Sequence, residues 1–139
     1  SKTPQPKANN RKVLVPYSAQ MKKLLKSGTY NSGKRPSEYD IGEKSFSINN
    51  GGAIPSNVII ASNTVSNDDY LKYCKENNFE IHPARMPKEL PEFFIQLLTD
   101  EEDLVLDPFG GSNSTGCIAQ KLNRNWISIE AEKNTLMVP

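Results

Sequence analysis

Leu104-Val105-Leu106-Asp107-Pro108-Phe109-Gly110-Gly111-Ser112-Asn113-Ser114-Thr115-Gly116 sets the frame for the whole chain. A short apolar run bounded by turn residues is the pattern of a buried strand. The run ends on Asp107, and Pro108 with the Gly110-Gly111 pair cannot continue it. Small polar residues follow, and Cys117-Ile118-Ala119-Gln120-Lys121-Leu122 has the composition of a helix. The stretch therefore predicts a strand, a tight glycine turn and a helix N-terminus in succession. Such a turn lets the backbone approach a ligand closely, and the helix start supplies N–H donors that have no intrahelical partner.

Downstream, Trp126-Ile127-Ser128-Ile129-Glu130 predicts a second strand that closes on an acid. In nucleotide-binding α/β folds an acid roughly 20 residues beyond the glycine turn accepts hydrogen bonds from ribose hydroxyls. Glu130 stands at that spacing from Gly110 and Gly111. The glycines do not follow G-x-G-x-x-G, and Asp107 precedes the first of them, which disfavours a pyrophosphate ligand. A ligand with an adenosine and a charged amino-acid tail fits better.

The run from Asp107 to Gly116 resembles the S-adenosylmethionine-binding motif of the amino-group DNA methyltransferases, usually D-P-F-x-G-S-G-T-T. His82-Pro83-Ala84-Arg85-Met86-Pro87-Lys88-Glu89-Leu90 resembles the motif that precedes it in the permuted, β-type arrangement. Arg35-Pro36-Ser37, Asp40-Ile41-Gly42-Glu43-Lys44-Ser45-Phe46 and Asn50-Gly51-Gly52-Ala53-Ile54-Pro55 are similar to the cytosine-N4 methyltransferases of the PvuII type. The resemblance spans roughly residues 11–132.

It implies an α/β fold, a Rossmann-like sheet of an S-adenosylmethionine-dependent methyltransferase, present in part. It also implies that Asp107, Pro108, Phe109, Gly110, Gly111 and Ser112 cradle the methionine end of S-adenosyl-L-methionine, with Ser114 or Thr115 opening the helix below. Glu130 is then expected on the ribose hydroxyls, Trp126 in the core and His82 beside the methionine end. Arg85 or Lys88 faces the cofactor carboxylate, a charge-assisted contact. Lys34, Arg35 and Lys44 fall in a loop that the resemblance assigns to double-stranded DNA, where such side chains mostly hold phosphates. The implied division is a linker over 1–10, part of a target-recognition region over 11–50, and the cofactor-binding part over 51–139.

Members of this family also carry Ser-Pro-Pro or Asp-Pro-Pro followed by an aromatic residue. Their exocyclic amine is a poor nucleophile, because its lone pair is delocalised into the base. The Ser or Asp side chain and a proline carbonyl accept its N–H bonds, and the aromatic ring stacks on the flipped base. No Pro-Pro pair occurs in this sequence; Val15-Pro16-Tyr17 and Asp107-Pro108-Phe109 each lack the second proline. In the permuted order that motif lies N-terminal to everything present here. The expectation is the C-terminal portion of such an enzyme, with no catalytic residue of its own, either inactive alone or active with a separately supplied N-terminal catalytic half. The parent reaction is expected to be methyl transfer from S-adenosyl-L-methionine to the N4 amine of cytosine, within restriction-modification. Adenine-N6 methylation, or a non-catalytic DNA-binding remnant of the fold, are the alternatives.

Composition bounds these readings. A chain of 139 residues that is 36% hydrophobic has the material for one core. Net charge is only +1, but residues 1–44 hold ten Lys or Arg against three acids, and the remainder holds seven against thirteen. A basic N-terminal third suits a polyanion-facing region, or else a solvated basic tail. Cys74 and Cys117 are too few for a disulfide scaffold and lack neighbours at metal-ligand spacing, so no metal is expected. No apolar run has membrane-spanning length and no signal-peptide pattern opens the chain, so a cytoplasmic location is expected.

Several further elements are expected. Lys12–Val15 predicts a short strand, and Ser18 caps a helix that Gly28 stops. Residues 29–50 read as loop, Asn57–Ala61 as a buried strand, and Asn67 as the cap of a helix beginning at Asp68. From Lys88 to Thr99, Leu90, Phe93, Phe94, Leu97 and Leu98 form one apolar helical face, expected to be core.

Overall fold

The computed structural model describes residues 7–28, 32–38, 40–42, 47–62, 66 and 68–132. They form two compact units, one drawn from 7–12 and 56–132 and the other from Val13–Pro55.

In the Val13–Pro55 unit, helix α1 runs Ala19–Ser27. Its ends are those expected: the Ser18 hydroxyl accepts the Met21 N–H, and Gly28 takes the left-handed conformation as C-cap. Lys22, Lys23 and Lys26 are exposed, while Met21, Leu24 and Leu25 are half-buried. Two-residue strands β1 (Gly33–Lys34) and β2 (Asp40–Ile41) pair antiparallel. The strand expected at Lys12–Val15 is replaced by a 3-10 turn over Asn10–Val13 and a single antiparallel bridge between Val15 and Ala53. Gly52 is buried where the chain passes the Val15 carbonyl, at a distance that leaves no space for a Cβ.

The larger unit is built on one βαβ crossover. Strand β3 (Leu104–Asp107) and strand β4 (Asn125–Ser128) pair in parallel, Leu104 opposite Asn125 and Asp107 opposite Ser128. Ahead of them come helices α2 (Asp69–Asn77) and α3 (Glu89–Leu98), and between them lies α4 (Ser114–Lys121). Pro91 is tolerated in α3 because it sits in the first turn, where no intrahelical bond is lost. Ile95, Ile118 and Ala119 make the core, with Val105, Leu122 and Trp126 packed against them. Trp126 is thus core, and its indole N–H donates to Gln120 at 3.0 Å. Arg124 ties the helix ends together, its guanidinium donating to the Thr99 hydroxyl and carbonyl and to the Leu122 carbonyl.

Three expectations change. The apolar face of α3 is only partly core: Pro91 and Ile95 are buried, whereas Phe94 and Leu98 are about half exposed, at 49% and 51%. Residues 57–61 form no strand, and Ile60 is 92% exposed, because among the described residues no strand pairs with them. Asn67 lies outside the described residues, and Asp68 caps α2 by accepting the Leu71 N–H at 2.8 Å.

Among the described residues, the β3–β4 pair is clothed on one side only. Val105 and Trp126 face the helices, while Leu104, Leu106 and Ile127 stand out from the opposite face, 49–61% exposed. Parallel sheets ordinarily have both faces covered. Among the described residues no helix is long and apolar enough to cross a membrane, and no three metal-ligating side chains come together.

Candidate cofactor site at the glycine turn

Beyond β3 the chain turns sharply across the end of β4. The Asp107 carboxylate accepts the Phe109 N–H at 3.0 Å, which folds Pro108 and Phe109 into a tight turn. The parallel ladder extends past both strands, with Ile129 N–H on the Asp107 carbonyl at 2.9 Å and Gly110 N–H on the Ile129 carbonyl at 2.8 Å. Gly111 adopts φ +52°, a left-handed conformation that glycine reaches without strain. Its N–H donates to the Glu130 carboxylate at 2.6 Å, so the turn is fastened to the acid that closes the second strand.

A cavity of about 240 Å³ opens over this turn. One wall is His82, Ala84 and Met86; the floor is Phe109 to Ser112 with Ser114 and Thr115; Glu130 closes the side. The His82 ring lies against Gly111, 3.4–3.7 Å from the position a Cβ would take there. Two N–H donors, those of Glu132 and Gly111, hold the Glu130 carboxyl below the usual glutamate range, so it stays ionised and able to accept from hydroxyls.

Of the residues singled out in the sequence, His82, Phe109, Gly110, Gly111, Ser112, Thr115 and Glu130 converge on this cavity. Asp107 and Pro108 shape the turn from outside the lining. Arg85 goes elsewhere: its guanidinium pairs with Asp68 at 2.5 Å and lines a neighbouring cavity of about 200 Å³ with Met86, Lys88 and Cys117. Lys34 and Arg35 lie on and just after β1 in the other unit, Lys34 exposed and Arg35 half-buried, and Lys44 lies outside the described residues. Cys74 and Cys117 are buried free thiols, and burial raises that of Cys117.

Two residues that support the cavity from outside its lining were not assigned from sequence. Asn113 stands where the usual motif has its second glycine, a departure visible in the sequence itself; it is fully buried and left-handed, at φ 62°. Tyr70 carries no local signal, since its partners lie ten and twelve residues away.

The model of the N6/N4 DNA methylase family matches residues 1–137. The type II methyltransferase M.PvuII of Proteus hauseri is 53% identical over 132 residues, covering 94% of this chain and 39% of that protein. The type II methyltransferase M2.DpnII of Streptococcus pneumoniae is 46% identical over 57 residues, 41% of this chain and 21% of its own length. Among solved structures, the cytosine-N4-specific PvuII DNA methyltransferase superposes with a TM-score of 0.53 at 50% identity, covering 59% of this chain and 29% of the other. The βαβ unit is thus part of a Rossmann-like methyltransferase sheet, and the chain spans about two fifths of the length of M.PvuII. The chain belongs to the N6/N4 family of DNA methylases.

Proposed function

We propose that this chain is the cofactor-binding portion of a site-specific, cytosine-N4 DNA methyltransferase of a restriction-modification system. Residues 51–139 take S-adenosyl-L-methionine, and residues 11–50 contribute to recognition of double-stranded DNA. The observation that carries this reading is the convergence of His82, Gly110, Gly111, Ser112 and Glu130 on one cavity at the carboxyl ends of two parallel strands. Ligands of open α/β sheets bind at that end of the strands. The ionised Glu130 suits the ribose hydroxyls, and the small residues Gly110 to Ser112 let the methionine end approach the backbone. When bound, the cofactor supplies an electrophilic methyl group on a sulfonium. This chain's residues hold and orient it, and the acceptors for the target amine come from a second polypeptide segment. The bare face of Leu104, Leu106 and Ile127 supports such a segment as its cover, and M.PvuII carries more than half of its length outside the matched region.

Calorimetric titration of the chain with S-adenosyl-L-methionine tests the reading, with Asp107→Ala and Glu130→Ala alongside. Saturable binding weakened by both substitutions is the expected result. A folded chain that binds double-stranded DNA but not the cofactor would overturn it in favour of a non-catalytic remnant.

A further inference from the structure

Residues 79–87, which carry His82, have no regular secondary structure, and their placement comes from helix α2. The buried Tyr70 side chain reaches under them: its hydroxyl accepts the His82 N–H at 2.9 Å and donates to the Glu80 carbonyl at 3.5 Å. Burial pushes the phenol up to about 12, so it stays a neutral hydroxyl able to make both bonds. The Cys74 thiol, one turn on, also points to the Glu80 carbonyl, at 3.8 Å. One residue before α2, Asp68 divides its carboxylate, one oxygen capping the helix and the other paired with Arg85. The imidazole of His82 is steadied in turn by the Ala84 carbonyl, 2.5 Å from Nδ1, and its Cε1 and Nε2 edge lies against Gly111. Gly111 is therefore held from two sides, by the His82 ring and by the Glu130 carboxylate that takes its N–H.

We propose that Tyr70 is a positioning residue of the cofactor site: by holding the His82 backbone it sets the imidazole against Gly111 and so fixes the glycine turn from α2. Its function rests on the cofactor reading above, but its geometry is tested apart from it. The Tyr70 hydroxyl is the only part of this relay that a Tyr70→Phe substitution removes, the ring volume being kept.

Amide exchange in the unaltered chain comes first. The His82 N–H should be protected although it belongs to no helix or strand, and exchange at open-loop rates would overturn the proposal. In Tyr70→Phe, the nuclear Overhauser contact between the His82 ring and Gly111 should weaken and the Gly111 and Glu130 signals shift, while the Cys74 amide stays protected. An unchanged ring-to-Gly111 contact would likewise overturn it. In S-adenosyl-L-methionine titrations, Tyr70→Phe should raise Kd about tenfold, the equivalent of one hydrogen bond. Tyr70→Phe combined with His82→Ala should bind no more weakly than His82→Ala alone, and strictly additive losses would overturn the proposal, since Tyr70 would then act on binding independently of His82. If the unaltered chain binds no cofactor, the proposed function fails, while the exchange and Overhauser results still decide whether Tyr70 places His82.

Discussion

The Ser128 hydroxyl donates to the Asn113 carboxamide oxygen at 2.5 Å, so the residue that opens α4 is bonded to the last residue of β4. Asn113 is fully buried and left-handed, and Asn is one of the few residues other than glycine that adopt this conformation readily. Where the usual motif has a glycine, this chain puts an asparagine in a backbone shape that glycine reaches without strain, and adds a bond between the turn and the strand that leads to Glu130. Asn113→Gly keeps the conformation and removes the bond, for a loss of about 1 kcal/mol. Asn113→Ala also forces an alanine into the left-handed region, for a loss of about 2 kcal/mol. Urea unfolding of the two variants gives the order; equal losses would mean that the backbone conformation carries no strain.

Gly116, one turn into α4, is buried against that same carboxamide. A Cβ there would overlap the Asn113 side chain and lie 2.8 Å from Trp126 Cε3. Neither neighbour can yield, since one is bonded to Ser128 and the other packs on the core. Gly116→Ala, ordinarily favourable in a helix, is expected to destabilise by about 2–3 kcal/mol through overpacking. A thermal melt of this variant at or above the parent midpoint would show that the core relaxes around the added methyl.

The bond between Gly111 and Glu130 has a pH signature. Because the N–H groups of Glu132 and Gly111 lower the folded-state pKa of Glu130, the bond contributes fully above the usual glutamate range and is lost as pH falls through that lowered value. The Gly111 amide shift should therefore inflect in acid, below the range of an ordinary glutamate, and the inflection should vanish in Glu130→Gln. An inflection at or above that range would contradict the arrangement.

The DNA contact proposed for the Val13–Pro55 unit predicts a salt dependence. Lys34 and Arg35 lie at and just after β1, and a side chain that neutralises a phosphate adds about one unit to the slope of log affinity against log salt. Lys34→Ala and Arg35→Ala should each reduce that slope by about 1 in anisotropy titrations with duplex DNA. Unchanged slopes would remove these residues from the DNA-facing surface.

Much of both units is legible in the sequence, because the features that specify their elements act over short distances. Pro108 and the paired glycines end β3, Ser18 and Gly28 bound α1, and the spacing to Glu130 is that of one βαβ crossover. These depend on backbone sterics and on hydrogen bonds within a few residues, which composition and order alone fix.

Tertiary structure decided the rest, where the outcome depends on a partner distant in the chain. Asn57–Ala61 has the residues of a buried strand but, among the described residues, no strand beside it, and a strand without a ladder is not stable. Helix α3 presents more apolar surface than α4 and the β3–β4 pair cover, so Ile95 is buried while Phe94 and Leu98 stay half exposed. Arg85 is adjacent in sequence to the cavity wall at Ala84 and Met86 yet pairs with Asp68, seventeen residues back, and Tyr70 takes the His82 N–H from twelve residues away. Local propensity carries no information on such pairs; they exist because packing α2 beneath residues 80–85 buries polar groups that must then satisfy one another.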